Sequence, residues 1–316
     1  MPRDHDDHSG ASRSRGGRTT RRFDDDEPHY LKRNRHATRA RFDTNADTDS
    51  PDVGDRWSTW DQAVHGPEPH PDWLVTELAA VDTELGVLKT GKEADVHLVR
   101  RAVPDSDRSC LLAAKRYRDP EHRLFHRDAG YLEGRRVRRS RENRAMQGRT
   151  AFGRQVIAGQ WAAAEFAALT RLWQVGQELG SVAVPYPVQL IGTELMLEFV
   201  GDPVQGEAAP RLAQLRPGPV LLRQLWDQLV DALVVLARAG LAHGDLSPYN
   251  LLVQADRLVL IDLPQVVDVI ANPSGRDFLA RDVRVVAAWF AARGLSGELV
   301  DPEVLTGRLL REAGLR

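Results

Sequence analysis

The stretch His243-Gly244-Asp245-Leu246-Ser247-Pro248-Tyr249-Asn250 decides how this chain is read. It is a polar loop, followed twelve residues after Asn250 by Ile261-Asp262. An Asp and an Asn five positions apart on a loop can point into one small volume. The second Asp arrives behind a hairpin, on a neighbouring strand. Phosphoryl transfer from ATP needs that set: one carboxylate to orient or deprotonate the acceptor, and an amide oxygen with a second carboxylate to hold Mg²⁺ on the phosphates. A loop whose Asp and Asn merely cap turns is the plainer reading. It accounts for the loop alone, and not for Ile261-Asp262 or for the elements upstream.

Those elements are two. Cys110-Leu111-Leu112-Ala113-Ala114-Lys115 is an apolar run ending in a lysine, and Glu165 stands fifty residues later on a helix predicted over 156–179. A lysine at a strand end is usually solvated. Followed by an isolated Glu among apolar helical residues, it reads as the phosphate-contacting lysine and its orienting carboxylate. Glu178 is the rival partner. Between two strand-like runs lies Lys89-Thr90-Gly91-Lys92-Glu93-Ala94-Asp95-Val96. Gly86, Gly91 and Lys92 nearly spell a Walker A loop, but Glu93 stands where the Mg²⁺-holding hydroxyl belongs, and no helix pattern clearly follows. A strand–turn–strand flap over ATP phosphates fits better, with Gly91 permitting close backbone approach.

Outward from these motifs the chain divides. Short strands are expected at 96–99, 110–115, 188–191 and 194–200, the last two joined at Gly192-Thr193. Past Gly201 helices are expected over 220–239, 277–293 and 301–313, the first with Pro217 and Pro219 ahead of it and Gly240 behind. Residues 56–80, with Trp57, Trp60 and Trp73, read as an irregular segment pinned to a domain by its aromatics. Residues 1–50 hold 9 hydrophobic residues against 11 Lys+Arg and 10 Asp+Glu, too little apolar surface to offset ordering entropy. The expected organisation is therefore a disordered mixed-charge tail over 1–55, an N-terminal extension and β-rich lobe over 56–200, and a short helical lobe over 201–316. The fold class expected is α+β and two-lobed, a β-rich lobe followed by a short helical one.

Composition sets the bounds. The 316 residues are long enough for two lobes with real cores. With 43 Lys+Arg and 45 Asp+Glu, a globally basic coat and a strongly acidic tail are both excluded. One cysteine, Cys110, allows no intrachain disulfide, which suits the cytoplasm. No run of 18 uncharged apolar residues appears, so no membrane partner is expected. A dense basic run lies inside residues 115–154, at Arg135-Arg136-Val137-Arg138-Arg139-Ser140-Arg141. It reads either as a solvated loop or as a grip on RNA phosphates, without aromatic interleaving for base stacking.

These motifs together resemble the RIO family of atypical serine/threonine protein kinases. The phosphate loop at 89–94, the catalytic loop at 243–250 and the metal loop at Ile261-Asp262 carry the resemblance. Leu197-Glu198-Phe199-Val200-Gly201 resembles the family's hinge, and Asp277 to Val283 its C-terminal helix. The resemblance implies a protein-kinase-like fold, with ATP and Mg²⁺ (or Mn²⁺) as cofactors. It assigns Asp245 as the catalytic aspartate, Asn250 and Asp262 as metal ligands, and Lys115 with Glu165 as the phosphate-binding pair. Thr90, Gly91, Lys92, Glu93 and Val96 would cover the nucleotide, and the backbone at Glu198 and Val200 would meet adenine. Asp262 would also be the acceptor of an aspartyl-phosphate. Ser140 is a candidate autophosphorylation site. A ribosomal particle or rRNA is the partner implied for the basic loop at 135–149.

Lys89 and Pro248 depart from the family's Ser and Glu; Pro248 stiffens the catalytic loop without removing a ligand. Only 54 residues follow Asp262, which leaves no room for the activation segment and substrate platform of ordinary protein kinases. Two other functions stay open: a small-molecule phosphotransferase on the same fold, like the aminoglycoside and choline kinases, and an ATP-binding scaffold that uses hydrolysis as a timer.

Overall fold

Residues 81–117 form the strands from which the site is built. The computed structural model describes residues 51–118 and 151–315. Most of the expected tail, the basic loop at 135–149 and Ser140 lie outside them. β1 (Arg56–Trp57), β2 (Val64–His65), β3 (Val81–Thr90), β4 (Ala94–Ala102), β5 (Ser109–Tyr117), β6 (Pro187–Ile191) and β7 (Glu194–Glu198) make one antiparallel sheet in the order β1-β3-β4-β5-β7-β6-β2. Its two edge strands, β1 and β2, are neighbours in sequence, joined by residues 58–63. So short a link spans at most about 25 Å from Trp57 to Val64. The sheet must therefore curl until its opposite edges approach each other.

The two faces of this sheet are used differently. Antiparallel partners directly opposite share a face, so Val99, Leu112, Ala114 and Met196 line one side. Trp60, Leu74, Val75 and Ala80 from the N-terminal segment cover it, together with Tyr186 and Val188. The segment expected to be merely pinned by aromatics thus supplies both edge strands and the lid of a core. Trp60 is buried, whereas Trp57 and Trp73 remain 43% and 39% exposed. Hydrophobicity alone did not separate the three.

That same face holds a buried charge. Arg101 is fully buried and grips Asp82 in two places, Nε to Oδ1 at 2.7 Å and Nη2 to Oδ2 at 3.1 Å. Its Nη1 donates to Gln189 Oε1 at 2.9 Å, and Gln189 Nε2 donates to Thr59 Oγ1 at 2.8 Å. Strands β3, β4 and β6 and the N-terminal segment are so tied by one polar chain whose groups satisfy one another.

The helical part follows. α1 (Ala151–Leu179) lays Ala158 and Ala162 on Ala94 and Tyr117 of the opposite sheet face. Further along, its Phe166, Leu169 and Leu172 enter the C-terminal core. α2 (Pro219–Arg238) starts with Pro at its first turn and buries Leu222, Leu225, Trp226, Leu229, Leu233 and Leu236. α3 (Gly275–Ala291) faces it, with Phe290 edge-on to Trp226 at 5.1 Å between ring centres. α4 (Pro302–Glu312) closes the core with Leu305 and Leu309 behind an Asp301 N-cap. Short pairs complete it: β8 (Gly201–Asp202) with β9 (Glu207–Ala208), β11 (Leu251–Gln254) with β12 (Arg257–Leu260), and β10 (Leu241–Ala242) with β13 (Val267–Asp268). The fold is α+β and two-lobed, a curled β lobe on a small helical lobe.

Replacing Arg101 with Met removes both close donors from the buried Asp82 carboxylate and leaves it only Arg56, whose Nε lies 3.7 Å away. Urea unfolding is expected to show a loss of about 3–5 kcal/mol. A loss under 1 kcal/mol would mean that Arg56 or water satisfies Asp82 without Arg101.

Candidate active site

Register places the lysine. Lys115 on β5 stands opposite Val96 on β4 and Leu195 on β7, so all three share the face that α1 covers. Its Nζ lies 2.8 Å from Glu165 Oε2 and 2.7 Å from Asp262 Oδ1. The predicted pairing with Glu165 is the one observed, while Glu178 is exposed at the far end of α1. Glu165 is 1% exposed and serves three groups. Besides Lys115 it accepts the Tyr117 hydroxyl and, at 3.0 Å, the backbone N–H of Leu263. Burial alone would push the Lys115 ammonium down; Glu165 and then Asp262 reverse this and hold it above its ordinary value. Burial would likewise raise the Asp262 carboxyl, but the Lys115 charge prevails and brings it to about 2. Tyr117 is pushed well up by burial and then by Glu165, so it remains a donor.

The loop over 243–250 is held from below. Gly244 adopts φ +83°, and a Cβ there would lie 2.4 Å from the Gln265 carbonyl oxygen, so glycine is required. The carboxylate of Asp282 on α3 accepts the N–H groups of Gly244 at 2.9 Å and Leu246 at 3.1 Å, on either side of Asp245. His243 is fully buried, and its Nε2 donates to the Ile261 carbonyl at 3.1 Å, joining this loop to the metal loop. Asn250, in a 3₁₀ turn begun by Pro248, donates from Nδ2 to the Asp245 carbonyl at 3.0 Å. With its main chain clamped, the Asp245 side chain is still 43% exposed, 3.6 Å from Arg281 Nη2 on α3. Sequence reasoning assigned no task to Asp282 or Arg281. The available signal was a carboxylate at 282 among the buried helix positions Leu279, Val283 and Val286.

The flap is a tight turn between β3 and β4. Gly91 N–H donates to the Ala94 carbonyl at 2.9 Å, and a Cβ on Gly91 would meet that oxygen at 2.8 Å. Thr90 and Lys92 are exposed. Glu93 is partly buried; burial, then the charge of Asp262, pushes its carboxyl up. At the hinge, the Glu198 N–H is given to the Tyr186 carbonyl at 2.9 Å and its side chain accepts the Tyr186 N–H at 3.0 Å. The Val200 carbonyl accepts from Ala209 N–H at 3.0 Å. The geometry thus brings Lys115, Glu165 and Asp262 into contact and Asn250 onto Asp245. Thr90 and Lys92 stay on the exposed turn.

The donor set suits a hard cation. Asn250 commits its amide nitrogen to the Asp245 carbonyl, so its Oδ1 is the ligand atom that bond does not use. Asp262 engages Lys115 through Oδ1, which leaves Oδ2. Asp262 also holds φ +67°, an uncommon conformation for a non-glycine residue. Among the described residues no group of three or more His, Cys, Asp or Glu side chains could hold a metal. Two oxygen ligands completed by nucleotide phosphates and water are the habit of Mg²⁺.

A profile for the RIO domain matches residues 122–303 of the chain. This chain belongs to the RIO family. The match takes in Glu165, the hinge, Asp245, Asn250 and Asp262, and begins after the flap and Lys115. The RIO-type serine/threonine-protein kinase Rio1 of Haloferax volcanii is 35% identical over 220 residues, 69% of this chain and 67% of that protein. The serine/threonine-protein kinase RIO1 of Chaetomium thermophilum is 34% identical over 143 residues, 43% of this chain and 26% of its own length. The serine/threonine-protein kinase rio2 of Schizosaccharomyces pombe is 28% identical over 214 residues, 67% of this chain and 52% of that protein. The chain thus spans two thirds of the archaeal relative and about a quarter to half of the fungal ones. Among the described residues of this RIO chain, no helix is long and apolar enough to cross a membrane.

The Lys115–Asp262 pair makes a pH-dependent contribution to stability. The Asp262 carboxyl is lowered from 3.8 to about 2 in the folded chain, so its contribution is present above pH 4 and lost as pH falls through 2. Unfolding midpoints of the wild type and Asp262→Asn should hold a constant difference from pH 7 to 4 and converge below it. A difference that is flat down to pH 2 would show that Asp262 is not charged against Lys115.

Proposed function

We propose that this RIO chain transfers the γ-phosphoryl group of ATP to a serine or threonine hydroxyl of a protein. The observation that carries the reading is the Lys115–Glu165–Asp262 cluster, assembled from β5, α1 and the metal loop beside the clamped Asp245 loop. Lys115, buried and paired, is a fixed cation for the phosphates. Val96 beside it offers an apolar surface for the base, and the Val200 N–H, whose carbonyl is engaged with Ala209, is the group that would meet the base edge. Asn250 Oδ1 and Asp262 Oδ2 would hold Mg²⁺ or Mn²⁺. When bound, the ion neutralises charge building on the phosphate oxygens.

The transfer balances simply. The acceptor oxygen bonds to the γ-phosphorus, the bond to the β–γ bridging oxygen breaks, and ADP leaves. The hydroxyl proton passes to the Asp245 carboxylate, which the Asp282 clamp keeps turned outward. A second course is favoured by one observation: Asp262 is held ionised, 41% exposed, with one oxygen outside the ion pair. As the acceptor it would form an acyl phosphate that water then hydrolyses, which makes the cycle an ATPase. A small-molecule phosphotransferase is the weaker reading, since the relatives matched are named as serine/threonine-protein kinases. Binding of rRNA through the 135–149 loop is a separate proposal. Arg135, Arg136, Arg138 and Arg139 changed to Ala should weaken RNA binding and flatten its salt dependence; identical binding curves would dismiss it.

Purified protein with γ-labelled ATP and Mg²⁺ tests the central reading. Asp245→Asn is expected to lower turnover by about 10²–10⁴-fold, some 3–5 kcal/mol, with nucleotide affinity kept. Unchanged turnover would remove Asp245 from the reaction. Protein-bound label that hydroxylamine releases points to Asp262. Label that resists it points to serine or threonine.

A further inference from the structure

We infer that Arg281 is a specificity-determining residue that selects acceptors carrying an acidic group, carboxylate or phosphate, beside the hydroxyl to be phosphorylated. The inference deepens the kinase reading and rests on it. It starts from how α3 meets the catalytic loop. Only residues 263–274 separate Asp262 from the start of α3, so no long segment intervenes between that helix and the site. α3 presents two consecutive charged residues there. Asp282 is 2% exposed and fixes the loop main chain on both sides of Asp245. Arg281, one residue earlier, is thereby held beside the Asp245 carboxylate.

The pair formed there is loose. Arg281 Nη2 stands 3.6 Å from Asp245 Oδ1, beyond hydrogen-bond distance, with the two side chains 49% and 43% exposed. Lys115 and Asp262 make the opposite kind of pair, closed at 2.7 Å with the lysine side chain 11% exposed. One cation of the site is therefore committed to its partner and the other is available for exchange. A guanidinium offers five donors in a planar fork, which suits a carboxylate or phosphate better than one long contact does. An acidic acceptor would exchange partners in one step. Its anion takes Arg281, and its hydroxyl takes the oxygen of Asp245 so released. The proton then goes to Asp245 as the γ-phosphoryl group moves to the hydroxyl oxygen. A second guanidinium keeps the mouth of the loop basic: Arg211 Nη1 donates to the Tyr249 carbonyl at 2.7 Å. A basic acceptor would set a like charge against Arg281 and compete for the Asp245 oxygen that the hydroxyl needs, which is discrimination by repulsion as well as attraction.

The test uses serine peptides of one length that differ in having Asp, Ala or Lys next to the serine. Each is assayed for kcat/KM with the full chain, γ-labelled ATP and Mg²⁺. Wild type should favour the Asp peptide over the Ala peptide by about tenfold, the scale of one charge-assisted hydrogen bond. Arg281→Lys should keep most of that ratio, Arg281→Gln should bring it near one, and Arg281→Glu should turn it toward the Lys peptide. A merely structural role would lower all three rates together and leave the ratios alone. Equal wild-type rates on Asp and Ala peptides overturn the inference, as does a preference that survives in Arg281→Gln and Arg281→Glu. If ATP is split but no peptide is labelled, the inference fails and the ATPase course stands. If ATP is not split at all, the phosphotransfer reading itself fails.

Discussion

The carboxylate of Glu165 is the point on which the rest of the site depends. It is buried, and it meets a lysine from the sheet, a hydroxyl from the same strand and a backbone N–H from the metal loop. An anion in that position has lost its hydration and must be repaid by every partner at once. The spacing of β5, α1 and the metal loop is therefore coupled. Moving α1 by a fraction of a bond length leaves Lys115, Tyr117 and Leu263 with weakened partners together. That coupling is why Lys115 stays charged in a pocket that would otherwise neutralise it.

Asp282 does for the helical lobe what Glu165 does between the lobes. Its two oxygens accept two loop N–H groups, which removes the freedom of the main chain around Asp245 without touching the Asp245 side chain. His243 ties that loop to the strand leading into Asp262. Asp245 is thus an exposed group on a fixed main-chain frame, the preorganisation that the proposed phosphoryl transfer calls for. Exposure and rigidity are compatible here because the rigidity is carried by buried neighbours.

The N-terminal segment has a larger part than its composition suggests. By adding an edge strand to each side of the sheet it lets the curled β lobe close, and by covering Leu112, Ala114 and Met196 it gives that lobe a second core. The buried Arg101–Asp82 pair lies under this cover, its remaining donor satisfied by Gln189 and, through it, by Thr59. With the opposite side closed by this segment, the Lys115 side of the sheet is left for α1 to pack on.

The strands at 110–115 and 188–191, the helix over 220–239 and the polar loop at 243–250 were legible in the sequence, because each has a local cause: alternating or run-on apolar residues, prolines before and glycine after a helix, side chains that favour turns. So was the Lys115–Glu165 contact, since a lysine closing an apolar strand and an acid among apolar helix residues announce themselves. The edge strands β1 and β2, two residues each, carry no period to read; they exist because unpaired strands were near. The tasks of Asp282 and Arg281 were equally hidden, since a helix period places them on α3 but cannot say what lies across from it. Residue types and local order belonged to the sequence. Which buried carboxylate holds which loop was decided by the tertiary structure, because hydrogen bonds over 36 or 98 positions form only where packing brings the chain back on itself.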